Sequence, residues 1–181
     1  KITHQGIILE TKPLNYPTVD DVTDSNNIII ALDQVTDPQN VGAIIRTFNF
    51  FGGENLLITK DHSSEINGSL AKSASGALES VNIIKVTNLS MALKKMRKKG
   101  FIIIGLDENS HVMLNNSKDY INEKKVLVMG SEGKGLRRLT KENCDLLVSI
   151  ANNNDSDFNT LNVSVSSALA LYEFMGRDIK K

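Results

Sequence analysis

Apolar and polar positions alternate along the chain as short hydrophobic runs separated by amphipathic stretches. Ile28-Ile29-Ile30-Ala31-Leu32 is continuously apolar, as expected of a strand buried on both faces, and it ends at Asp33. Thr36-Asp37-Pro38-Gln39-Asn40 reads as a turn, followed by a helix from about Val41 to Phe51 that Gly52-Gly53 stops. Leu56-Leu57-Ile58 is a second strand, and the small-residue stretch Ser69 to Leu78 is a short, closely packed helix. Val81 to Val86 is a third strand, Leu89 to Lys99 an amphipathic helix capped by Gly100, and Phe101 to Leu106 a fourth strand. Val126 to Met129 is a fifth strand, Leu136 to Lys141 a short basic helix, and Leu146 to Ile150 a sixth strand. Near the C-terminus Leu161, Val165, Ala168, Leu169, Tyr172 and Met175 recur at helical spacing and predict the buried face of a helix. Strands alternating with helices on short connections predict an α/β domain with a mainly parallel sheet. It spans residues 28–181. Residues 1–27 read as an arm broken by Pro13 and Pro17.

Composition narrows the function classes. The 21 basic and 21 acidic residues cancel, which argues against a general polyanion binder and leaves room for a local basic patch. The single cysteine, Cys144, excludes an intramolecular disulfide and a cysteine-cluster metal site. His4, His62 and His111 lie far apart with no ligand spacing, so no metal is expected. No apolar run reaches the roughly 18 residues that mark a membrane span. The chain begins at Lys1, and we expect a piece of a longer protein whose targeting segment is not visible, at work in an intracellular compartment, cytoplasmic or organellar.

Ligands of open parallel sheets sit at the carboxyl ends of strands, so the candidate chemistry is collected there. After the first strand come Asp33, Thr36, Asp37, Pro38, Asn40, Gly42 and Arg46. Gly42 allows close backbone approach. Arg46, between the apolar Ile44, Ile45 and Phe48, reads either as a solvated charge or as a partly buried guanidinium that needs an anion such as phosphate. After the fifth strand comes Gly130-Ser131-Glu132-Gly133-Lys134-Gly135, which is neither a P-loop nor a dinucleotide fingerprint. It is either a tight connection or a site loop carrying Glu132. Lys134, Arg137, Arg138 and Lys141 flank it and are candidates for phosphate contact, whereas Lys94 to Lys99 reads most simply as the cationic end of a helix. The last helix opens on Asn159, Thr160, Asn162 and Ser164, polar groups beside a helix N-terminus, fed by the Asn- and Asp-rich loop Ala151 to Asp157.

Three blocks together resemble the SpoU (TrmH) family of RNA ribose 2′-O-methyltransferases: Asp37-Pro38-Gln39-Asn40-Val41-Gly42-Ala43-Ile44-Ile45-Arg46-Thr47, Leu127-Val128-Met129-Gly130-Ser131-Glu132-Gly133-Lys134-Gly135-Leu136, and Thr160-Leu161-Asn162-Val163-Ser164-Val165-Ser166. His4-Gln5-Gly6-Ile7 and Lys72 to Glu79 are lesser matches, the former resembling the rRNA guanosine branch, whose members often carry a small upstream RNA-binding domain. The resemblance implies a SPOUT-type α/β knot, a mainly parallel sheet flanked by helices with a deep C-terminal trefoil knot. It implies a homodimer that uses S-adenosylmethionine to methylate RNA, with rRNA favoured and tRNA the alternative, and without a metal. By position, Gly130, Ile150, Leu161 and Leu106 would contact the cofactor. Asn40, Arg46, Glu132, Asn162 and Ser164 would form the catalytic neighbourhood, and Arg137, Arg138 and Lys134 would meet RNA. The loop after Ile150 departs from the family pattern: it is more polar and about two residues longer, without the usual Pro-Met. A knotted RNA-binding or ribosome-assembly module without catalysis is the competing reading.

Overall fold

A computed structural model describes residues 16–23, 27–152 and 160–176. Among these, six strands form one sheet: β1 (Ile28–Asp33), β2 (Asn55–Thr59), β3 (Asn82–Val86), β4 (Ile102–Leu106), β5 (Lys125–Gly130) and β6 (Leu146–Val148). Their order is β3-β2-β1-β5-β4-β6, and every neighbouring pair is parallel. The chain builds outward from β1 to β3, then crosses to β4 and returns to insert β5 beside β1. The strand order therefore reverses at the β1/β5 boundary, where ligands of such sheets collect.

Period-two alternation sends each strand's side chains to two cores. Ile28, Ile30, Leu32, Leu127 and Met129 face α1 (Pro38–Phe50), α2 (Gly68–Ala74) and α5 (Val163–Leu171). Ile29, Ala31, Val126 and Val128 face the other way, onto Leu89, Leu93 and Met96 of α3 (Leu89–Lys98) and onto Leu136, just before α4 (Arg138–Glu142). The continuous apolar run of β1 is buried along its whole length because both faces are covered.

Three expectations need correction. α1 begins at Pro38, with Asp37 as N-cap accepting from the Gln39 N–H at 3.0 Å, so Asn40 lies inside the first helical turn and not in a preceding turn. The helix expected over Ser69 to Leu78 breaks at Ser75 and Gly76, which take φ of 50° and 86°, and resumes as a 3₁₀ turn, Ala77–Glu79. Most of the apolar stripe expected to be the buried face of α5 faces solvent: Leu161, Val165, Leu169 and Tyr172 are 51%, 47%, 41% and 56% exposed, while Ala168 and Met175 are half-buried, Met175 against the core, and Val163, Ser167, Ala170, Leu171 and Phe174 pack inward. That helix is apolar all round, so periodicity alone could not tell its two sides apart.

The expected close approach at Gly42 is present: a Cβ there would lie 2.5 Å from Ser73 Cβ and 2.8 Å from Leu70 O of α2. The basic tail of α3 is used internally. Lys95 pairs with Asp20 at 3.2 Å, Lys99 donates to the Asp20 and Val22 carbonyls at 2.9 and 2.8 Å, and Arg97 pairs with Asp145 at 2.9 Å. Val19 and Val22, in the described part of the expected arm, are buried against this second core. The rest of that arm, residues 1–15 and 24–26, lies outside the described residues, as do residues 153–159 of the Asn-rich loop. At the amino end of β5, Lys125 is buried; its Nζ donates to Ile121 O at 2.8 Å and stands 5.5 Å from the Phe174 ring. Burial pulls its pKa from the ordinary 10.5 to about 8, against the opposing charge of Glu123. No helix among the described residues is long and apolar enough to cross a membrane.

Candidate active site

At the carboxyl edge of β1 and β5, Asp33 and Gly130 are in register. The turn after β5 closes on itself, Ser131 N donating to Gly135 O at 3.1 Å and Gly135 N to Ser131 O at 2.9 Å. Gly133 and Gly135 take φ of 76° and 63°, which L side chains rarely adopt. Gly130 has another constraint: a Cβ on it would lie 2.2 Å from Gly135 C and 2.4 Å from Leu136 N. The turn therefore folds back over its own entry strand, with backbone against backbone.

This turn holds Glu132 between two helix N-termini. Glu132 Oε1 accepts from Asn40 Nδ2, in the first turn of α1, at 2.6 Å, and from Asn162 Nδ2, the N-cap of α5, at 2.9 Å. Asn162 Nδ2 also donates to Asn40 Oδ1 at 3.0 Å. Asn162 Oδ1 accepts from Ser164 N at 2.8 Å and Ser164 Oγ at 2.6 Å. Four of the five residues expected to form the catalytic neighbourhood are thus one hydrogen-bonded cluster, drawn from three segments distant in sequence. Its donors and acceptors match in sign, as a fixed polar group requires.

The cluster stands beside a cleft of about 560 Å³. Leu106, Gly130, Ile150 and Leu161, the four residues expected to meet a cofactor, all line it, with Met129 and Val148 adding apolar surface. Glu132, Lys134, Asn162, Ala151 and Asn152 lie on its wall. Ser164 lies outside the lining and reaches the site through Asn162. A smaller hollow of about 270 Å³ opens on the other side of Glu132, between it and Gln34, Thr36 and Asp37.

Arg46 differs from the expectation. It is exposed on the outer side of α1 and lines neither hollow, because Ile44, Ile45 and Phe48 turn into the core and the guanidinium points away from them. Of the two readings of Arg46, the solvated charge is the one the fold provides. Among the basic residues, Arg137 Nε meets Asp33 Oδ1 at 2.7 Å, Arg138 pairs with Glu142, and Lys134 lies exposed in the turn. Sequence reading missed Asp107, which follows β4, lines the cleft and meets Lys141 Nζ at 2.6 Å. Burial tends to raise the Asp107 pKa, but the hydrogen bonds from Lys141 and the Asn109 N–H outweigh it and hold the carboxyl below its usual range. The same carboxyl-edge rule that singled out Asp33 would have found it. Among the described residues no group of three His, Cys, Asp or Glu side chains is gathered that could hold a metal ion.

Apolar walls, a glycine turn offering its backbone and a fixed amide–carboxylate cluster make a site able to hold a small molecule and orient a second reactant. The SpoU rRNA Methylase family matches this chain over residues 27–172. The chain is 37% identical over 175 residues to the 23S rRNA (guanosine-2′-O-)-methyltransferase RlmB of Escherichia coli strain K12, covering 94% of this chain and 70% of that enzyme. A putative RNA methyltransferase of the TrmH family from Porphyromonas gingivalis superposes with a TM-score of 0.74 at 26% identity, over 84% of this chain and 61% of that one. The SpoU methyltransferase AviRb from Streptomyces viridochromogenes, in complex with AdoMet, shares the fold with a TM-score of 0.79 at 22% identity, over 92% of this chain and 66% of that one.

Proposed function

The chain belongs to the SpoU rRNA Methylase family, and on that premise we propose that it transfers a methyl group from S-adenosylmethionine to a ribose 2′-hydroxyl in RNA, with a guanosine of large-subunit rRNA as the favoured target. The observation that carries this reading is the Asn40–Glu132–Asn162 cluster standing at a cleft lined by the glycine turn. Identity to the rRNA guanosine enzyme over most of the chain supports the target. An rRNA target also implies an intracellular compartment, cytoplasmic or organellar.

The residues present fit the cofactor. A cleft of about 560 Å³ lies within the roughly 300–1,000 Å³ of small-molecule sites. Leu106, Met129, Val148 and Ile150 offer apolar walls, and the turn offers open backbone at Gly133 and Gly135. When bound, S-adenosylmethionine supplies an electrophilic methyl group on a positively charged sulfonium. Gly130, Ile150, Leu161 and Leu106, which line the cleft, would hold it, and Glu132, fixed by two carboxamides, keeps the turn and both helix N-termini in one arrangement. Asn40 and Asn162 orient the incoming ribose, a contribution of positioning worth several kcal/mol. Arg46, exposed on α1 and outside both hollows of the single chain, would take part by engaging an RNA phosphate that runs past the bound ribose. A guanidinium is a poor general base. The hydroxyl proton therefore passes to an RNA phosphate oxygen and from there to water, and Ser164, whose hydroxyl donates to Asn162 Oδ1, takes part by fixing that carboxamide. Lys134, Arg138 and Arg137 lie beside the turn, where RNA phosphates would run.

A homodimer belongs to the same proposal. The stripe Leu161, Val165, Leu169 and Tyr172 leaves large apolar side chains uncovered in a single chain, and a second copy would bury them. So does the C-terminal knot. Residues 28–181 are proposed as the catalytic domain and 1–27 as the segment that joins it to an upstream RNA-binding domain.

Calorimetric titration with S-adenosylmethionine tests the reading. Binding at micromolar to sub-millimolar cofactor is expected. No binding at millimolar cofactor, together with intact RNA binding, would leave the non-catalytic module as the correct account.

A further inference from the structure

Asp33 ends the central strand and its side chain is 0% exposed. A carboxylate so buried is tolerated only when it is paired and hydrogen-bonded. Both of its oxygens are used by one residue: Oδ1 accepts from Arg137 Nε at 2.7 Å and Oδ2 from Arg137 N at 3.0 Å. Arg137 is the N-cap of α4 and directly follows the glycine turn and Leu136. Asp33 also sits in register with Gly130, where the turn begins. One aspartate thus anchors the turn's entry through the strand ladder and its exit through its carboxylate.

The far end of α4 is held in the same manner. Lys141, in its last turn, places Nζ 2.6 Å from Asp107 Oδ2, just beyond β4. The other oxygen of Asp107 accepts from Asn109 N at 3.2 Å. β1 and β4 are the two neighbours of β5. α4 therefore bridges the ends of both flanking strands, above the strand that delivers the turn. Glu132 projects from that turn to Asn40 at 2.6 Å and Asn162 at 2.9 Å, so a displacement of the turn reaches the whole polar cluster.

We infer that α4 is a two-point ionic strut that sets the cofactor loop, with Asp33, Arg137, Asp107 and Lys141 acting as positioning residues for methyl transfer. The inference rests on the reading of the cleft as the S-adenosylmethionine site. Stability alone does not account for the arrangement. A buried ion pair adds little over an apolar pair of similar size, but it fixes direction, and Leu136, 4% exposed, already supplies the apolar anchor. Arg137 thereby takes a role in addition to phosphate contact, for which its half-exposed side chain leaves room.

The test is steady-state methyl transfer with Arg137→Met, Arg137→Lys and Lys141→Met in the intact protein, with thermal melting alongside. Arg137→Met is also combined with Asp33→Asn, which removes the buried charge that Arg137→Met strands. The expected result, at saturating RNA, is a cofactor KM raised about tenfold or more in Arg137→Met, with and without Asp33→Asn, and a kcat that falls with it because the displaced turn carries Glu132. Arg137→Lys recovers part of the loss, and Lys141→Met raises KM by a smaller factor. Folded variants whose KM stays within about twofold of wild type, even with a lowered melting temperature, would overturn the inference and reduce the pairs to structural contacts. If Arg137→Met fails to fold, Arg137→Lys decides by the same criterion, because Lys141 itself lines the cleft. A wild-type protein that binds no cofactor would overturn the functional reading itself, a result distinct from variants that match an active wild type.

Discussion

Gly130→Ala is the substitution whose effect follows most directly from the coordinates. Gly130 is absent from the glycines with positive φ, so alanine meets no backbone strain there and the effect is steric. The new Cβ would sit 2.2 Å from Gly135 C, 2.4 Å from Leu136 N and 2.5 Å from Gly135 O, all backbone atoms. Carbon atoms pack at about 3.5–4.0 Å, so the turn has to retreat by roughly 1.3 Å or more. A misplacement of about 1 Å costs on the order of 100-fold in a positioned reaction. Overpacking of this kind costs about 1–3 kcal/mol of stability. At roughly 2–4 °C per kcal/mol for a chain of this size, Tm falls by about 2–12 °C. Methyl transfer at saturating cofactor and RNA and a melting scan read both quantities. A variant that turns over within about twofold of wild type and melts within about 1 °C of it would show that the turn does not close over Gly130.

Arg46→Ala is expected to abolish methyl transfer while cofactor affinity stays within a few-fold, because Arg46 lines neither hollow; near-normal turnover would remove it from the reaction. Leu169→Glu, on the exposed stripe of α5, is expected to convert a dimer into monomers at micromolar protein, as read by sedimentation; a wild-type monomer would contradict the dimer outright. Lys125→Met carries a pH signature. The folded pKa of Lys125 is about 8 against an ordinary 10.5, so the unfolded chain binds more protons between those values and wild-type stability rises with pH across that window. Urea unfolding should show wild type gaining stability relative to Lys125→Met from about pH 8 to 10.5, with no relative change below; a flat difference would mean the ammonium is not buried.

Much of the fold was legible because its signals are local. The run Ile28 to Leu32 reads as a two-sided strand, and it is one. Gly100, with φ of 85°, ends α3 where a C-terminal glycine should. Failures came where a pattern carried no direction. α5 is apolar on every side, and most of the stripe chosen as its core face is exposed. Arg46 lies among apolar neighbours in sequence, yet helical geometry turns its side chain away from them. The site divides in the same way. Asn40, Glu132 and Asn162 were grouped by the family resemblance alone, because from the residues themselves their union into one cluster depends on contacts across 92 and 122 positions that no local signal encodes. The Asp33–Arg137 pair, 104 positions apart, was hidden for the same reason, and Arg137 read as a candidate for phosphate contact.

The central claim is methylation of a ribose in large-subunit rRNA. Its most direct measurement is transfer of isotope-labelled methyl from S-adenosylmethionine to rRNA purified from cells that lack this protein, with the modified nucleotide mapped by resistance of its 3′ linkage to alkali. The account predicts label on the 2′-oxygen of one guanosine in the large-subunit rRNA, and none with Arg46→Ala. Label on a base, label in tRNA alone, or no transfer by a protein that binds the cofactor would contradict it.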